Sequence, residues 1–325
     1  MTSVAPYLSI VVPVYNEEES LRPMHEALHA ALDSLGKPFE VLYIDDGSRD
    51  KSFAILQELA ANDPTVKVVR FRRNFGQTAA MAAGFEHASG EVVFPIDADL
   101  QNDPSDIPRM LAKLDEGYDV VAGWREKRQD AYLTKTLPSR IANKIIGRVT
   151  GVPLHDYGCT LKALRRDVLK DVHLYGEMHR FLPVFAHLAG ARITEMAVKH
   201  HARRWGVSKY TLSKTFRVIL DLITVRFLAA YATKPIYFFG RFAFWGFGIA
   251  SACMAWTVFN RLFLGIFIKD QPLFLVGIFF LIAGLQFLLF GLLAEMNMRT
   301  YYESQGKATY YVRERIGVLP PPNRK

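Results

Sequence analysis

Cysteine is scarce in this sequence: Cys159 and Cys253 are the only two in 325 residues, far apart and in unlike surroundings. A disulfide framework and a cysteine-rich metal centre are thereby excluded, and a reducing compartment fits. No Gly-x-Gly-x-x-Gly follows an apolar run, and no Gly-x-x-x-x-Gly-Lys-Ser/Thr occurs. The chain therefore lacks the main-chain phosphate cradles of dinucleotide dehydrogenases and P-loop nucleotidases. Residues 1–6 carry no basic cluster ahead of an apolar stretch, so they do not read as a signal peptide, and the first domain is expected in the cytoplasm. Negative charge is the scarcer sign, with 32 acidic against 40 basic side chains and a net charge of +8. That balance suits an anionic partner without choosing among nucleic acid, a phospholipid surface and a phosphorylated substrate.

What is abundant is apolar residues, 50% of the chain, more than a soluble domain needs. Over residues 1–210 short β-branched runs alternate with helical patterns. Strands are predicted over 8–14, 39–44, 66–71, 91–96 and 119–123, and helices over 18–35, 52–61, 77–88 and 104–116. Such a pattern predicts an α/β fold whose mostly parallel sheet is covered on both faces, with ligands at the carboxyl ends of its strands.

The composition shifts over residues 236–296. Residues 242–260 form an uncharged apolar run and 273–294 a second, interrupted only by Gln286. Each is long enough to cross a hydrocarbon core of about 30 Å as a helix, and two in succession argue against buried core helices. Arg203, Arg204, Lys209, Lys214, Arg217, Arg226, Lys234 and Arg241 precede the first run, and Arg299, Lys307, Arg313 and Arg315 follow the second. By the positive-inside rule both termini are cytoplasmic. Residues 211–235, with Phe216, Ile219, Leu220, Ile223, Phe227 and Leu228 at helical spacing, are expected to form interfacial amphipathic helices or to pack on the domain's own core. Residues 297–325 are expected to be a cytoplasmic tail, unstructured beyond Arg315.

The strongest chemical signal is Asp97-Ala98-Asp99-Leu100-Gln101, directly after an apolar strand. Carboxylates at i and i+2 on a strand end can converge on one hard cation, and with the Gln101 amide they suit Mg²⁺ or Mn²⁺ bridging to diphosphate oxygens. The bland alternative is that these acids cap the helix starting near Pro104. Asp45-Asp46-Gly47-Ser48 and Pro13-Val14-Tyr15-Asn16-Glu17 also follow strands. Three neighbouring strand ends facing one crevice would make one nucleotide site of all three motifs. Taken alone, the second is turn and cap chemistry and the third the acidic first turn of a helix. Anion binding falls to the metal and to basic clusters: Arg72 with Arg73, Arg125 with Arg128, and Arg203 and Arg204 with Lys209.

These motifs, together with Arg73-Asn74-Phe75-Gly76 and Ser208-Lys209-Tyr210, resemble the inverting family 2 glycosyltransferases with a GT-A-type nucleotide-binding domain. Within them the chain resembles polyprenyl-phosphate glycosyltransferases bearing two C-terminal membrane helices. Asn74-Phe75-Gly76-Gln77, Leu100-Gln101-Asn102, Arg128-Gln129-Asp130 and Asp156-Tyr157-Gly158-Cys159 are most like the undecaprenyl-phosphate 4-deoxy-4-formamido-L-arabinose transferases. The resemblance implies that Pro13, Tyr15, Glu17, Asp45, Asp46, Asp97 and Ala98 hold the nucleotide, and that Asp97, Asp99 and Gln101 hold a divalent metal. It implies that Asp156 is catalytic near the acceptor, alongside Asp99, and that Arg125, Arg203, Ser208 and Lys209 receive the lipid phosphate. The implied partners are a nucleotide-sugar, UDP-linked, polyprenyl phosphate and membrane lipids rather than nucleic acid, with a homotetramer at the inner membrane and a place in lipopolysaccharide or other cell-envelope synthesis. Relatives handling glucose or mannose carry an aromatic and an arginine after the acid where this chain has Tyr157 and Gly158, which leaves the sugar contacts open.

Two rival readings stand beside this one. A processive polysaccharide synthase is suggested by His201-Ala202-Arg203-Arg204-Trp205, near a Gln-x-x-Arg-Trp signature, but the glutamine is missing and two spans cannot form a polymer pore. A non-catalytic membrane-tethered nucleotide scaffold would leave the metal motif without a purpose. His25 and His29 share a helix face at i, i+4 with no third ligand in view and read as surface residues. His200 and His201 read as flanking a phosphate-binding loop, and Cys159 as a small buried hydrophobe.

Overall fold

The computed structural model describes residues 5–126, 137–169, 178–202, 235–304 and 310–318. They fall into two compact units, one within Met1–Arg226 plus Ala308–Lys325 and the other within Phe227–Lys307. The expected interfacial segment, 211–235, lies almost entirely outside the described residues.

In the first unit, β1 (Leu8–Val14), β2 (Phe39–Asp45), β3 (Val66–Phe71) and β4 (Val92–Pro95) are the apolar runs of the sequence. They alternate with α1 (Leu21–Leu32), α2 (Ser52–Asn62) and α3 (Gln77–His87). A 3₁₀ turn at Pro104–Asp106 leads into α4 (Ile107–Asp115), then β5 (Val120–Trp124) and α5 (Leu137–Thr150). Next come β6 (Lys162–Arg165), α6 (Arg166–Leu169), α7 (Leu182–Leu188) and β7 (Ile193–Ala197). The order across the sheet is β7-β5-β6-β4-β1-β2-β3, with β8 (Val312–Ile316) at the edge beyond β3.

Strand β1 pairs in parallel with both β2 and β4, and β2 in parallel with β3, so the winding reverses between β1 and β4. Such a reversal opens a crevice at the carboxyl ends of the two strands. Both faces of β1 are covered. Leu21, Met24, Leu28 and Leu32 of α1, three and four residues apart, are buried with Leu8, Ile10, Val12 and Val14 in the main core. Each such side chain contributes about 1.5–3 kcal/mol. On the opposite face α3 lies so close that a Cβ on Gly84 would sit 2.1 Å from Val11 Cγ1.

Strand β8 was not foreseen, because residues 297–325 read as a tail. It pairs antiparallel with β3, placing Ile316 opposite Val68 and Glu314 opposite Arg70. Its sequence, Val-Arg-Glu-Arg-Ile, has too much charge to signal a strand, yet a sheet edge tolerates charge. Just before it, Tyr310 stacks on Phe71 with ring centroids 4.9 Å apart, and its hydroxyl donates to Glu86.

The second unit is a hairpin of two helices, Pro235–Phe263 and Pro272–Ser304. Within them Tyr237–Phe263 and Pro272–Ala294 are long and apolar enough to cross a membrane. Phe244, Trp245 and Leu275 are about 70% or more exposed, 77%, 69% and 69%, the pattern of helices whose solvent is lipid rather than water. Gly246 of the first helix packs against Gly284 of the second, whose Cα lies 3.1 Å from the position of an added Cβ, the small-residue contact common between helices in membranes. At the hairpin tip Gln271, buried, donates to the Ile266 carbonyl at 3.2 Å and accepts from Asn260 Nδ2 at 3.2 Å, satisfying polar groups of the turn.

Candidate active site

The carboxyl ends of β4, β1 and β2 bring the three acidic motifs to neighbouring positions. The turns after β1 and β2 are zipped together by main chain and short polar side chains. Asn16, with φ 55°, donates its N–H to Ser48 Oγ at 3.0 Å and accepts from the Arg49 N–H at 2.9 Å. The Glu17 N–H donates to Ser52 Oγ at 2.9 Å, and Glu17 itself accepts from Ser20 Oγ at 3.0 Å.

Asp45 and Asp46 hold these walls in place. Asp45, fully enclosed, accepts from the Ser48 N–H at 2.9 Å, and its other oxygen lies 3.3 Å from Arg70 Nε as an ion pair without hydrogen-bond alignment. Asp46 accepts from the N–H groups of Phe75 and Gly76 at 2.6 and 2.9 Å, fastening the loop between β3 and α3. Burial nevertheless pushes its carboxyl up to about 6, those two bonds opposing the rise and Asp45 adding to it. Between them Gly47, at φ +71°, lies against the backbone of that loop, where an added Cβ would be 2.5 Å from the Arg73 carbonyl carbon. The resulting cavity of about 240 Å³ is lined by Tyr15, Ser48, Arg49, Arg73, Asn74 and, from β8, Arg313. Pro13 is half-buried in β1 opposite Ile44, one register step below this rim.

Beyond β4 the chain turns through Asp97, Ala98 and Asp99, with Leu100 at φ 57°. Asp97 accepts from Gln77 Nε2 and from Thr160 Oγ1, both at 2.7 Å. Burial, then repulsion from Asp99, pushes its carboxyl up to about 6. Asp99, 6% exposed, accepts from the Gln101 N–H at 3.1 Å. Ala98 packs its methyl into the main core, leaving only main chain to meet a ligand. The helix-cap alternative for these acids fails, because Asp103 does that work, accepting from the Ser105 N–H at 2.9 Å.

On the other flank Arg125, following β5, grips Asp156 with Nε at 2.7 Å and a terminal nitrogen at 3.0 Å, and the Gly158 N–H donates to the same carboxylate at 3.0 Å. The sequence reading assigned these two residues separate tasks; the structure makes them one bidentate pair, 15% and 4% exposed. Trp124 stacks on His155 with centroids 4.4 Å apart, and His155 pairs with Glu195. Lys162 of β6 is buried, donates to the Cys159 carbonyl and is pushed below the ordinary lysine value by burial. Cys159 is fully buried, and burial pushes its thiol up to about 11. His200 bridges to Asn102, and His201 lies 3.0 Å from Asp103. Sequence reasoning missed Lys162 and Thr160, although both lie within three residues of the quoted run 156–159, and it did not foresee Gln77 as a partner of Asp97. Arg203, Ser208 and Lys209 lie outside the described residues.

A sheet wound in this order, with paired acids at the carboxyl end of β4 beside a cavity at β1 to β3, defines a GT-A-type glycosyltransferase. The chain belongs to glycosyl transferase family 2, whose profile matches residues 9–173. It is 43% identical over 311 residues to the dodecaprenyl-phosphate galacturonate synthase of Rhizobium johnstonii, covering 94% of this chain and 92% of that one. It is 38% identical over 319 residues to the undecaprenyl-phosphate 4-deoxy-4-formamido-L-arabinose transferase of Edwardsiella ictaluri, covering 97% and 96%. Both relatives are polyprenyl-phosphate glycosyltransferases. The fold is shared with the glucosyl-3-phosphoglycerate synthase of Mycobacterium tuberculosis, solved with Mn²⁺, UDP and phosphoglyceric acid, at a TM-score of 0.54 and 18% identity over 69% of this chain and 78% of that one. The same enzyme with Mg²⁺ and UDP gives 0.53 and 19%, over 69% and 79%.

Proposed function

We propose that the enzyme transfers a sugar from a UDP-linked donor to a polyprenyl phosphate at the cytoplasmic face of a membrane, with a divalent metal and inversion at the anomeric carbon. The observation that carries this reading is the Asp97–Asp99 pair. The two carboxylates stand two residues apart in the turn after β4, where a diphosphate would lie, and burial first, then the charge of Asp99, pushes the Asp97 carboxyl up. A divalent cation relieves that repulsion, and oxygen donors from Asp97, Asp99 and Gln101 suit Mg²⁺ or Mn²⁺. When bound, the metal supplies charge neutralisation for the departing diphosphate. Gln77 and Thr160 keep Asp97 oriented through side-chain bonds.

Tyr15 and the rim of the 240 Å³ cavity are placed to receive the nucleoside. Asp45 and Asp46 serve it indirectly by holding its walls. The acceptor phosphate is already anionic at pH 7, so attack requires alignment more than proton removal. Asp156 then acts as the group that fixes the Arg125 guanidinium, and Arg125, with Arg203, Ser208 and Lys209, forms the phosphate-receiving set. The two apolar helices keep the enzyme at the surface where its lipid acceptor resides.

The candidate donor sugars are galacturonate, as in the name of the first relative, and 4-deoxy-4-formamido-L-arabinose, as in that of the second. Detergent-purified protein is incubated with undecaprenyl phosphate, Mn²⁺ or Mg²⁺ and a panel including UDP-galacturonate and UDP-4-deoxy-4-formamido-L-arabinose, and the lipid is read by mass spectrometry. A metal-dependent lipid-phosphate sugar is the expected outcome. Nucleotide binding without product from any donor would overturn the reading in favour of a scaffold.

A further inference from the structure

A second cluster of metal-type donors lies by the amino ends of β2 and β3, the opposite end of the strands from the acids. His25 and His29 are one turn apart on α1, and Asp63 follows the carboxyl end of α2, just before β3 begins. His29 Nε2 lies 2.8 Å and His25 Nε2 3.5 Å from Asp63 Oδ2, and one donor atom from each of the three residues lies within 4.8 Å of the others. Ligands around a tetrahedral ion with bonds of about 2.0–2.1 Å stand roughly 3.3 Å apart, so the two measured separations bracket that value. The third separation, between the two imidazole donors, is no more than 4.8 Å.

Three further features set this cluster apart from a simple ion pair. Asp33 Oδ1 lies 3.4 Å from Nδ1 of His29, the nitrogen facing away from Asp63. A carboxylate on the far nitrogen of a histidine is the outer-shell arrangement that fixes tautomer and ring direction at metal sites. Phe39 meets the His29 ring edge-on, with centroids 5.3 Å apart. The Tyr43 hydroxyl, fully buried and within electrostatic reach of Asp63, makes no hydrogen bond among the described residues. All three donors are partly solvent-accessible, with side chains 16%, 27% and 15% exposed, which gives an ion a way in.

We propose that His25, His29 and Asp63 form a site for Zn²⁺, or a divalent first-row ion of similar imidazole preference, that clips the middle of α1 to the carboxyl end of α2. The donor set, two imidazoles and one carboxylate, is nitrogen-rich and suits zinc better than Mg²⁺ or Mn²⁺, which prefer all-oxygen surroundings. Three protein donors leave a coordination position for water. The clip ties together the two helices whose amino ends follow the acidic turns after β1 and β2. It is independent of the metal that the Asp97–Asp99 pair would hold.

The test is titration of the untagged, detergent-solubilised full chain with Co²⁺ as a spectroscopic stand-in. One equivalent of Co²⁺ should develop the visible bands of a low-coordinate ion, and one equivalent of Zn²⁺ should abolish them. His29→Gln and Asp63→Asn should remove the bands, while Asp33→Ala, a surface change that leaves the fold alone, should weaken binding by roughly 10- to 100-fold. Asp99→Ala should retain the bands in full, so a failure of the sugar-transfer reading leaves this result standing. Absence of bands in the folded wild-type chain, or bands that survive both His29→Gln and Asp63→Asn, would overturn the site.

Discussion

Two acidic turns, at strand ends on either side of β1, look alike on paper and are used differently. After β2, Asp46 gives both oxygens to main-chain N–H groups of a distant loop, and Asp45 takes one from its own turn. After β4, Asp97 accepts, among the described residues, from the side chains of Gln77 and Thr160, and Asp99 from the N–H of Gln101 two residues on in its own turn. A carboxylate bonded to the backbone of a distant loop is a fastener, because releasing it strands N–H groups that have nowhere else to go and frees one segment from another. One bonded to side chains can exchange those partners for a cation at little cost. Residue type announces an acid; the identity of its donors decides whether it builds the site or works in it.

The comparison is broken most directly by exchanging the roles. Asp99→Ala should lower sugar transfer by at least about a hundredfold, the scale of removing one transition-state-stabilising group, while leaving the thermal unfolding midpoint close to that of the parent. Activity and melting curves measured on the same preparation decide it, and a large loss of stability would make Asp99 a fastener too. Gly47→Ala should do the reverse. Its Cβ meets backbone at a positive φ, so stability should fall by roughly 2–4 kcal/mol in denaturant titration, with activity lost only as far as the folded fraction falls or the cavity wall moves.

Asp46→Asn offers one carbonyl oxygen where two are in use, and should cost about 1–3 kcal/mol. It should also raise KM for the nucleotide-sugar more than it lowers kcat, which steady-state kinetics separates. The smallest effect is on pH dependence. Folding raises the Asp46 carboxyl to about 6, whereas an aspartate in an unfolded chain titrates near 3.9. Between those values the folded form holds more protons, so this group's contribution is fully present below about pH 4 and is lost as pH rises through about 6. Melting curves of parent and Asp46→Asn protein at several pH values should differ in slope across that window and run parallel above it.

The first half of the sheet was legible because β1 to β5 are short, apolar and separated by helical patterns, each element reporting its own burial. The observed α3, Gln77–His87, against an expected 77–88 shows how closely local pattern can define an element. The short strands β6 and β7 and the charged β8 carry little such pattern and were not foreseen. Within the site, the three acidic turns were visible because each follows a strand. The Arg125–Asp156 grip and the Thr160–Asp97 bond join residues 31 and 63 positions apart, and nothing in the local sequence encodes such pairings. The same limit hid Asp63 from His25 and His29, which share a helix with each other but not with their third partner.

The last strand to join the sheet also sets a timetable. On the ribosome, residues 312–316 emerge only after both long apolar helices have been made, yet their place is against β3, formed from residues synthesised far earlier. Throughout that interval the nascent catalytic domain has one sheet edge without its final neighbour, the kind of edge that invites pairing with another chain. Lys67 and Arg70 sit on that very strand, yet each is held by an acid of β2, Glu40 and Asp45, so β3 waits for its last neighbour with these charges already engaged inside the domain.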